Sequence, residues 1–333
     1  MAVTQIPPLN LPVSKLTAQI TTLICDVRFS ETLAPSDIVN ELVDGARQGN
    51  VDFGKGIVKT FKVDLQPVKD LTETSSAFTI TKPNVGQEVI TIDNYKFIPI
   101  STSSYLTKDA FCNGYALDEF FAFVMSLLDT TYTFHMYDVV NNLLQNWTPG
   151  QATQTITINL TNTSDLTGTE LQAASERNAT TIAKTIRKTL NNMKVLNPGY
   201  SDVSKYTGQD GSTQYDVRTA LRGDELKITM NDNFMTDILA DSLATLYHEN
   251  YVGDMIPARN RITVIPTSKM NSGNTNVIGW MYHVDKFAFA DFYRTTLSIV
   301  DPSTLYENSF QHFAYGAGIF KYAPGVKFVA NYA

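Results

Sequence analysis

The segment that most constrains the fold is LDEFFAFVMSLLDTTYTFHMYDVVNNLLQN, from Leu117 to Asn146. Its apolar residues recur at intervals of three and four, which is the spacing of one face of an α-helix. These residues are Leu117, Phe120, Phe121, Val124, Leu127 and Leu128, followed by Met136, Val139, Val140, Leu143 and Leu144. Thr130, Thr131 and Thr133 lower the helix propensity of the middle, so the pattern allows one long bent helix or two. A face this wide predicts a helix at the centre of the packing.

Strand and helix patterns are mixed in the rest of the second half. The alternation in TQTITINLT predicts a strand, and a second long helix is predicted from Leu171 to Met193. A third helix is predicted in FMTDILADSLATLYHE, after the strand ELKITM. Further strands are predicted in RITVIP, NVIGWMYHV and RTTLSIV, and a hairpin is predicted around Pro324 and Gly325. This mixture of elements predicts an α+β fold.

The first hundred residues have a different pattern. Pro7, Pro8 and Pro12 favour an extended arm, and Ser36 has the properties of an N-cap for a short helix that ends before Gly49. From about residue 51 to residue 100 the apolar period approaches two. SAFTITKPNVGQEVITID predicts a strand, a turn at Pro83 to Gly86 and a second strand. Because much of this region is polar on both sides of the alternation, we expect it to project from the body.

Charge and cysteine content exclude several classes of protein. The chain has 333 residues and a formal net charge of −7. Proteins whose main task is to bind phosphate groups carry a basic face, so this charge argues against that class. The two cysteines are far apart and have neither a disulfide nor a zinc-ligand pattern, which favours a reducing, cytoplasmic setting. No basic and apolar leader opens the chain, and no run approaches the roughly 18 apolar residues of a membrane span. We therefore expect no membrane partner.

Residue patterns for catalysis or cofactor binding are absent from the sequence. The four histidines stand apart from one another, and no G-x-S-x-G, Walker A or zincin pattern occurs. Lys184, Arg187 and Lys188 share one side of a predicted helix, which is more typical of a solvated face than of a phosphate site. The sequence thus predicts no enzyme activity, no cofactor and no metal.

The order of segments after residue 215 resembles the major capsid proteins of tailed bacteriophages with the Hong Kong 97-type fold. The segments are YDVRTALRGDELKITMNDNFMTDILADSLATLYHENY, NRITVIP, NVIGWMYHVDKFAFADFYRTTLSIVDPS and NSFQHFAYGAGIFKYAPGVKFVA. The long helix pattern is similar to the spine helix of that family, and NATTIAKTIRKTLNNMKVLNP is similar to the helix that follows it. The resemblance is closest to small short-tailed phages (podoviruses).

This resemblance implies a division of the chain. Residues 1–50 would form an N-terminal arm and a short helix, and residues 51–100 an extended loop built as a β-hairpin. A peripheral domain, with the spine helix and the C-terminal strands, would comprise residues 101–155 and 296–333. Residues 156–295 would form mainly the axial domain.

The resemblance also implies a function. The chain would be a major capsid protein that assembles into hexamers and pentamers of an icosahedral shell around packaged double-stranded DNA, which it encloses without specific binding. Partners would be copies of itself, a portal protein and a scaffolding protein, and the virion capsid would be assembled in the host cytoplasm. Alternatives are the shell of a cellular nanocompartment (encapsulin-like), another virion structural protein, and an enzyme without a recognisable motif.

Intersubunit contacts are expected in the extended loop. An arm and a hairpin that reach over neighbours give large interfaces to a subunit of modest size. The candidate interface residues are Lys69, Phe78, Ile80, Val85 and Val89.

Overall fold

A computed structural model describes residues 37–50, 56–62, 85–103, 114–197, 199–207, 214–222, 225–237, 262–303 and 306–332. The longest helix in these residues is the predicted spine helix. This spine helix extends over 33 residues, Gly114–Asn146, so the sequence pattern forms one helix and not two. Thr131 and Thr133 fit its middle because their hydroxyls donate to the carbonyl oxygens of Leu127 and Asp129, four residues earlier.

Three other α-helices accompany the spine helix in the described residues. In chain order the four are α1 (Asp37–Ala46), the spine helix α2 (Gly114–Asn146), α3 (Gly168–Lys194) and α4 (Asp232–Asp237). The predicted helices at residues 37–46 and 171–193 are therefore confirmed. Phe234 is buried, as predicted for the third helix, and residues 238–249 of that prediction lie outside the described residues.

The strands are β1 (Arg47–Asn50), β2 (Ile57–Lys62), β3 (Val85–Ile90), β4 (Asn94–Ser103), β5 (Thr155–Leu160), β6 (Lys205–Thr207), β7 (Gln214–Asp216), β8 (Leu226–Asn231), β9 (Ile262–Ile265), β10 (Val277–His283), β11 (Phe287–Val300), β12 (Tyr306–Ile319) and β13 (Gly325–Tyr332). They form a four-stranded sheet in the order β1-β11-β12-β4 and a five-stranded sheet in the order β5-β13-β10-β8-β9. Two ribbons, β2–β3 and β6–β7, complete the described strands.

The four-stranded sheet packs one face on α1 and the spine helix. Apolar and aromatic side chains fill this contact: Val39, Leu42, Val43, Ala46, Tyr132, Met136, Tyr137, Val140, Phe289, Phe313 and Tyr315. The five-stranded sheet packs on α3, where Ile182, Ile186 and Met193 are buried. Each sheet thus has its own helix, as expected when a sheet with one apolar face must cover it.

The predicted C-terminal hairpin is wrong. β12 pairs with β11 and β4 in the four-stranded sheet, whereas β13 pairs with β10 and β5 in the five-stranded sheet. Residues 320–324 carry the chain from one sheet to the other, and we call this segment the crossover. The alternating pattern predicted both strands correctly. A Pro-Gly pair indicates a turn, but it does not indicate which strand the following segment will pair with.

The predicted turn at Pro83 to Gly86 is also wrong at Gly86, which lies inside β3 opposite Phe61 of β2. β3 pairs antiparallel with β2, and residues 76–82, its predicted partner, lie outside the described residues. Farther along, β4 pairs over its whole length with β12 and so belongs to the body. The region between residues 51 and 100 therefore contributes both a ribbon and a strand of the main sheet.

Candidate subunit interface

The face of the four-stranded sheet that points away from the spine helix is identified by strand register. Phe313 packs edge-on against Tyr132 of the spine helix, with ring centroids 5.1 Å apart, so the residues on either side of it in β12 point to the opposite face. His312 lies opposite Phe97 and Thr295, and Phe310 lies opposite Pro99 and Leu297. We call this side the outer face.

The outer face combines several large exposed side chains and no formal charge. Its described residues are Tyr95, Phe97, Pro99 and Ser101 in β4, Asn308, Phe310, His312 and Ala314 in β12, and Tyr293, Thr295, Leu297 and Ile299 in β11. Phe97 is 55% exposed, Leu297 54% and Ile299 63%. Contiguous exposed apolar surface of this kind marks an interaction site in a soluble protein.

Aromatic contacts hold the centre of the outer face in one arrangement. The ring of Phe97 stands edge-on to Phe310, with centroids 5.9 Å apart, and lies 5.7 Å from the ring of His312. At the far end, the Ser101 hydroxyl donates to the Asn308 side-chain oxygen over 2.6 Å. Because these rings already contact one another, a partner would meet a preformed surface and would lose little side-chain entropy in ordering it.

The opposite, inner face is fixed to the spine helix by polar and charged groups. Arg294 forms an ion pair with Asp129, and its guanidinium lies 4.7 Å from the centroid of the Tyr132 ring. His135 contacts the rings of Phe313 and Tyr315, and burial, assisted by the positive charge of Lys96, lowers the pKa of its imidazole. The uncharged ring that results suits this apolar contact. The two faces of one sheet are thus chemically distinct.

One end of the outer face is covered by the chain's own β2–β3 ribbon. Ile57 and Ile90 are buried there against Ala288, Ala290 and Phe320. Small residues make the close approach possible, because a Cβ on Gly316 would lie 2.7 Å from the carbonyl oxygen of Thr91. The outer face therefore starts beneath the ribbon and continues toward Asn308 and Ile299, where no described residue covers it.

Gly318→Val should lower the free energy of unfolding by about 1–3 kcal/mol, as overpacking typically does. A Cβ at this position would lie 3.0–3.3 Å from three side-chain atoms of Ile90, so the ribbon would have to move outward. Denaturant unfolding measures the change, and Gly273→Val is the control because a Cβ there has no neighbour within 4 Å. Equal stability of the two variants would contradict this close packing.

The predicted interface residues are only partly within the described chain. Val85 and Val89 lie on the same side of the ribbon, the side away from the body, and Val89 is 57% exposed. Its cross-strand partner Val58 is exposed as well. Lys69, Phe78 and Ile80 lie outside the described residues. Whether these five residues contact a neighbouring subunit stays a prediction.

Sequence reasoning missed the residues of the outer face. Leu297 and Ile299 were assigned to an ordinary strand, in which alternating apolar residues indicate one buried side. The available signal was the lack of charge over the stretches from Phe97 to Ser103 and from Thr295 to Val300. Within the described residues, no group of three or more His, Cys, Asp and Glu side chains could hold a metal ion. No helix in this part of the chain combines the length and apolar character of a membrane span.

A family model for Phi29-like phage major capsid proteins matches residues 48–329, which is most of the chain. The chain belongs to this family. The predicted identity as a structural major capsid protein of a bacteriophage is thereby confirmed, and the nanocompartment alternative is not favoured. No curated protein matches the sequence.

Solved structures support the fold of this capsid protein. A chain of the Staphylococcus phage Andhra capsid matches with a TM-score of 0.62 at 8% identity, over 85% of this chain and 82% of that chain. The cyanophage P-SCSP1u capsid matches with a TM-score of 0.53 at 10% identity, over 86% of each chain. The head of Helicobacter pylori bacteriophage KHP40 matches with a TM-score of 0.50 at 11% identity, over 86% and 87%. The predicted Hong Kong 97-type capsid fold is confirmed by these similarities.

Proposed function

We propose that this capsid protein assembles with copies of itself into hexamers and pentamers, and that these close an icosahedral shell around packaged double-stranded DNA. The observation that carries the proposal is the uncharged outer face, which continues beyond the chain's own ribbon with nothing covering it among the described residues. β4 also forms an edge of its sheet in the described chain. Exposed apolar surface and an open sheet edge are hazards in a monomer but serve a closed symmetric assembly.

The segment that covers the outer face is, in this proposal, the hairpin loop of a neighbouring copy. Residues 63–84 connect β2 to β3 and include the apolar residues Val63, Leu65, Val68, Leu71, Phe78 and Ile80. The ribbon already covers the first part of the same face in its own subunit, so its chemistry suits that surface. Lys69, Phe78 and Ile80, together with Val85 and Val89, would be the residues that reach the neighbour.

The domain division is also part of the proposal. Residues 1–50 would be the arm and its helix, residues 51–100 the extended loop, residues 101–155 and 296–333 the peripheral domain, and residues 156–295 mainly the axial domain. β13 pairs with β5 and β10, which belong almost entirely to residues 156–295. This pairing favours assigning β13 to the axial domain and not to the peripheral domain.

A net charge of −7 suits a container for nucleic acid, because an acidic chain repels packed DNA instead of binding it. We propose a structural, non-enzymatic role, with assembly in the host cytoplasm and with portal and scaffolding proteins as partners. Negative-stain microscopy of the expressed chain, alone and with scaffolding protein, tests self-assembly. Discrete monomers or dimers under all salt conditions would contradict it, and the contents of purified particles would distinguish DNA from protein cargo.

Deleting residues 66–82 should leave a folded subunit and abolish shell formation. The deletion ends before β3 because Glu88 and Ile90 contact the body, so the whole β2–β3 ladder is retained. The full-length chain, expressed in parallel, is the control. Circular dichroism checks the fold and negative-stain microscopy checks the shells. A shortened chain that still forms shells of normal size would show that the hairpin loop is not an intersubunit element.

A further inference from the structure

The crossover between the two sheets is held from inside the body by a buried lysine. Lys286 is fully buried, and its Nζ lies 3.0 Å from the Asp202 carboxylate. The same Nζ donates to the carbonyl oxygens of Ala323 over 2.8 Å and of Phe320 over 3.5 Å. It also lies 4.7 Å from the centroid of the Trp147 ring, at the end of the spine helix. This ammonium group therefore connects the spine helix, Asp202 and the crossover.

The ribbon holds the crossover from the other side. Glu88 of β3 accepts a hydrogen bond from the backbone N–H of Lys321 at Oε1, over 2.9 Å, and from that of Tyr322 at Oε2, over 3.1 Å. Hydrogen bonds to an ionised carboxylate are stronger than those between neutral groups. The ring of Phe61 in β2 adds contacts with Phe320 and Tyr322, with centroids 6.0 and 6.2 Å apart.

The two sets of contacts meet on the same peptide groups. The peptide group of Phe320 and Lys321 accepts from Lys286 at its oxygen and donates to Glu88 at its nitrogen. The next peptide group, of Lys321 and Tyr322, accepts from the Asp202 N–H over 2.9 Å and donates to Glu88 as well. Two adjacent peptide groups thus lie between Glu88 on one side and the Lys286–Asp202 pair on the other.

Hydrogen bonds on opposite ends of one peptide group polarise it in the same direction, so each strengthens the other. The effect is greatest where water is excluded, as it is around Lys286. Burial lowers the pKa of the Lys286 ammonium, while the charges of Asp202 and Glu88 counteract that shift. Charge on the ribbon therefore acts on the buried lysine, although no direct contact between Glu88 and Lys286 is needed.

We infer that the peptide groups of Phe320–Lys321 and Lys321–Tyr322 form a joint that couples the orientation of the β2–β3 ribbon to the junction between the two sheets. Loss of the hydrogen bonds on one side of the joint therefore weakens the hydrogen bonds on the other side. The ribbon base consequently moves with the body as one unit. This joint is a property of the single subunit and does not depend on shell assembly.

Amide hydrogen exchange on the full-length, unassembled chain tests the joint with Glu88→Gln and Lys286→Met. Glu88→Gln should speed exchange at Lys321 and Tyr322 by about tenfold, the effect of one lost charge-assisted hydrogen bond. It should also speed exchange at the Asp202 amide, which Glu88 does not contact. Lys286→Met should speed exchange in the β2–β3 ladder, although no hydrogen bond or ion pair joins the Lys286 side chain to either strand. In the double variant the combined factor should stay well below the product of the two single factors.

Lys59→Gln is the matched control, because Lys59 lies directly opposite Glu88 in the ladder and its ion pair with Asp285, over 3.0 Å, also ties the ribbon to the body. It should leave exchange at Asp202 within about twofold, as is typical of partly exposed ion pairs. Amides of α3 serve as the reference for global destabilisation. Faster exchange that stays at Lys321 and Tyr322 in Glu88→Gln, with Asp202 unchanged, overturns the joint even if Lys286→Met fails to fold. An unchanged β2–β3 ladder in a folded Lys286→Met chain overturns it as well.

Discussion

A subunit that carries Phe97→Glu and Leu297→Glu together should fold normally and form no shells. Both side chains lie in the middle of the outer face, on strands β4 and β11, and more than half of each is exposed in the single subunit. A carboxylate there stays in water in the free subunit, so the fold loses little beyond the ring contacts of Phe97, worth about 1 kcal/mol. When a neighbour covers the face, the same carboxylate is buried without a partner, which costs several kcal/mol per charge.

The matched control is Thr296→Glu. Thr296 precedes Leu297 in β11 and is exposed, but its side chain points to the inner side of the sheet. Circular dichroism and thermal unfolding check that both variants fold, while size-exclusion chromatography and negative-stain microscopy measure assembly. Leu297→Glu alone and Thr296→Glu each place one carboxylate in β11, on opposite sides of the strand, so a difference in assembly between these two single variants reports on the face. Normal shells from the double variant would show that the outer face is not an interface.

Phe328→Ala should lower the free energy of unfolding by about 3–5 kcal/mol, the range for removing a buried aromatic side chain. Phe328 is 1% exposed and lies in β13, between β5 and β10 of the five-stranded sheet. It packs in the cluster that also contains Ile182 and Ile186 of α3. The loss combines the apolar area returned to water on unfolding with the cavity left in a core that cannot collapse around it.

Tyr332→Ala tests whether this effect belongs to the core position and not to the terminal strand as such. Tyr332 is in the same strand but about half exposed, and its replacement should change the free energy of unfolding by less than about 1 kcal/mol. Denaturant titration of both variants gives the comparison. If both replacements had the same small effect, β13 would not be a core strand of the sheet.

The elements that sequence analysis predicted correctly have periodic apolar residues over a long stretch. α3 shows one apolar face over several turns, so local pattern and final burial agree. In the spine helix Met136, Val140 and Leu144 are buried, as the pattern predicts, whereas Leu127 is exposed. The middle of the spine helix was ambiguous because Thr131 and Thr133 have low helix propensity. Their hydrogen bonds to carbonyl oxygens one turn earlier, seen only in the structure, show how one continuous helix accommodates them.

The candidate site was less accessible from sequence. Val85 and Val89 were selected because they alternate in a segment expected to project, and the structure places both on the side of the ribbon away from the body. Leu297 and Ile299 alternate in the same way but were assigned only to a strand, and Phe97 was assigned to the extended loop, whereas the structure places all three on the outer face. An alternating strand has one apolar side whether that side faces a helix of its own subunit or a neighbour, so the pattern cannot distinguish the two.

The sequence by itself determined the type of most elements, the order in which they occur and the capsid family to which that order is similar. These properties depend on local periodicity and on residue spacing along the chain. Only the tertiary structure decided that β12 and β13 separate into different sheets and that Glu88 and Lys286 meet on the peptide group of Phe320 and Lys321. The physical reason is that strand partners and buried charge contacts depend on which backbone groups, distant in sequence, still lack a hydrogen-bond partner. A local residue pattern does not contain that information.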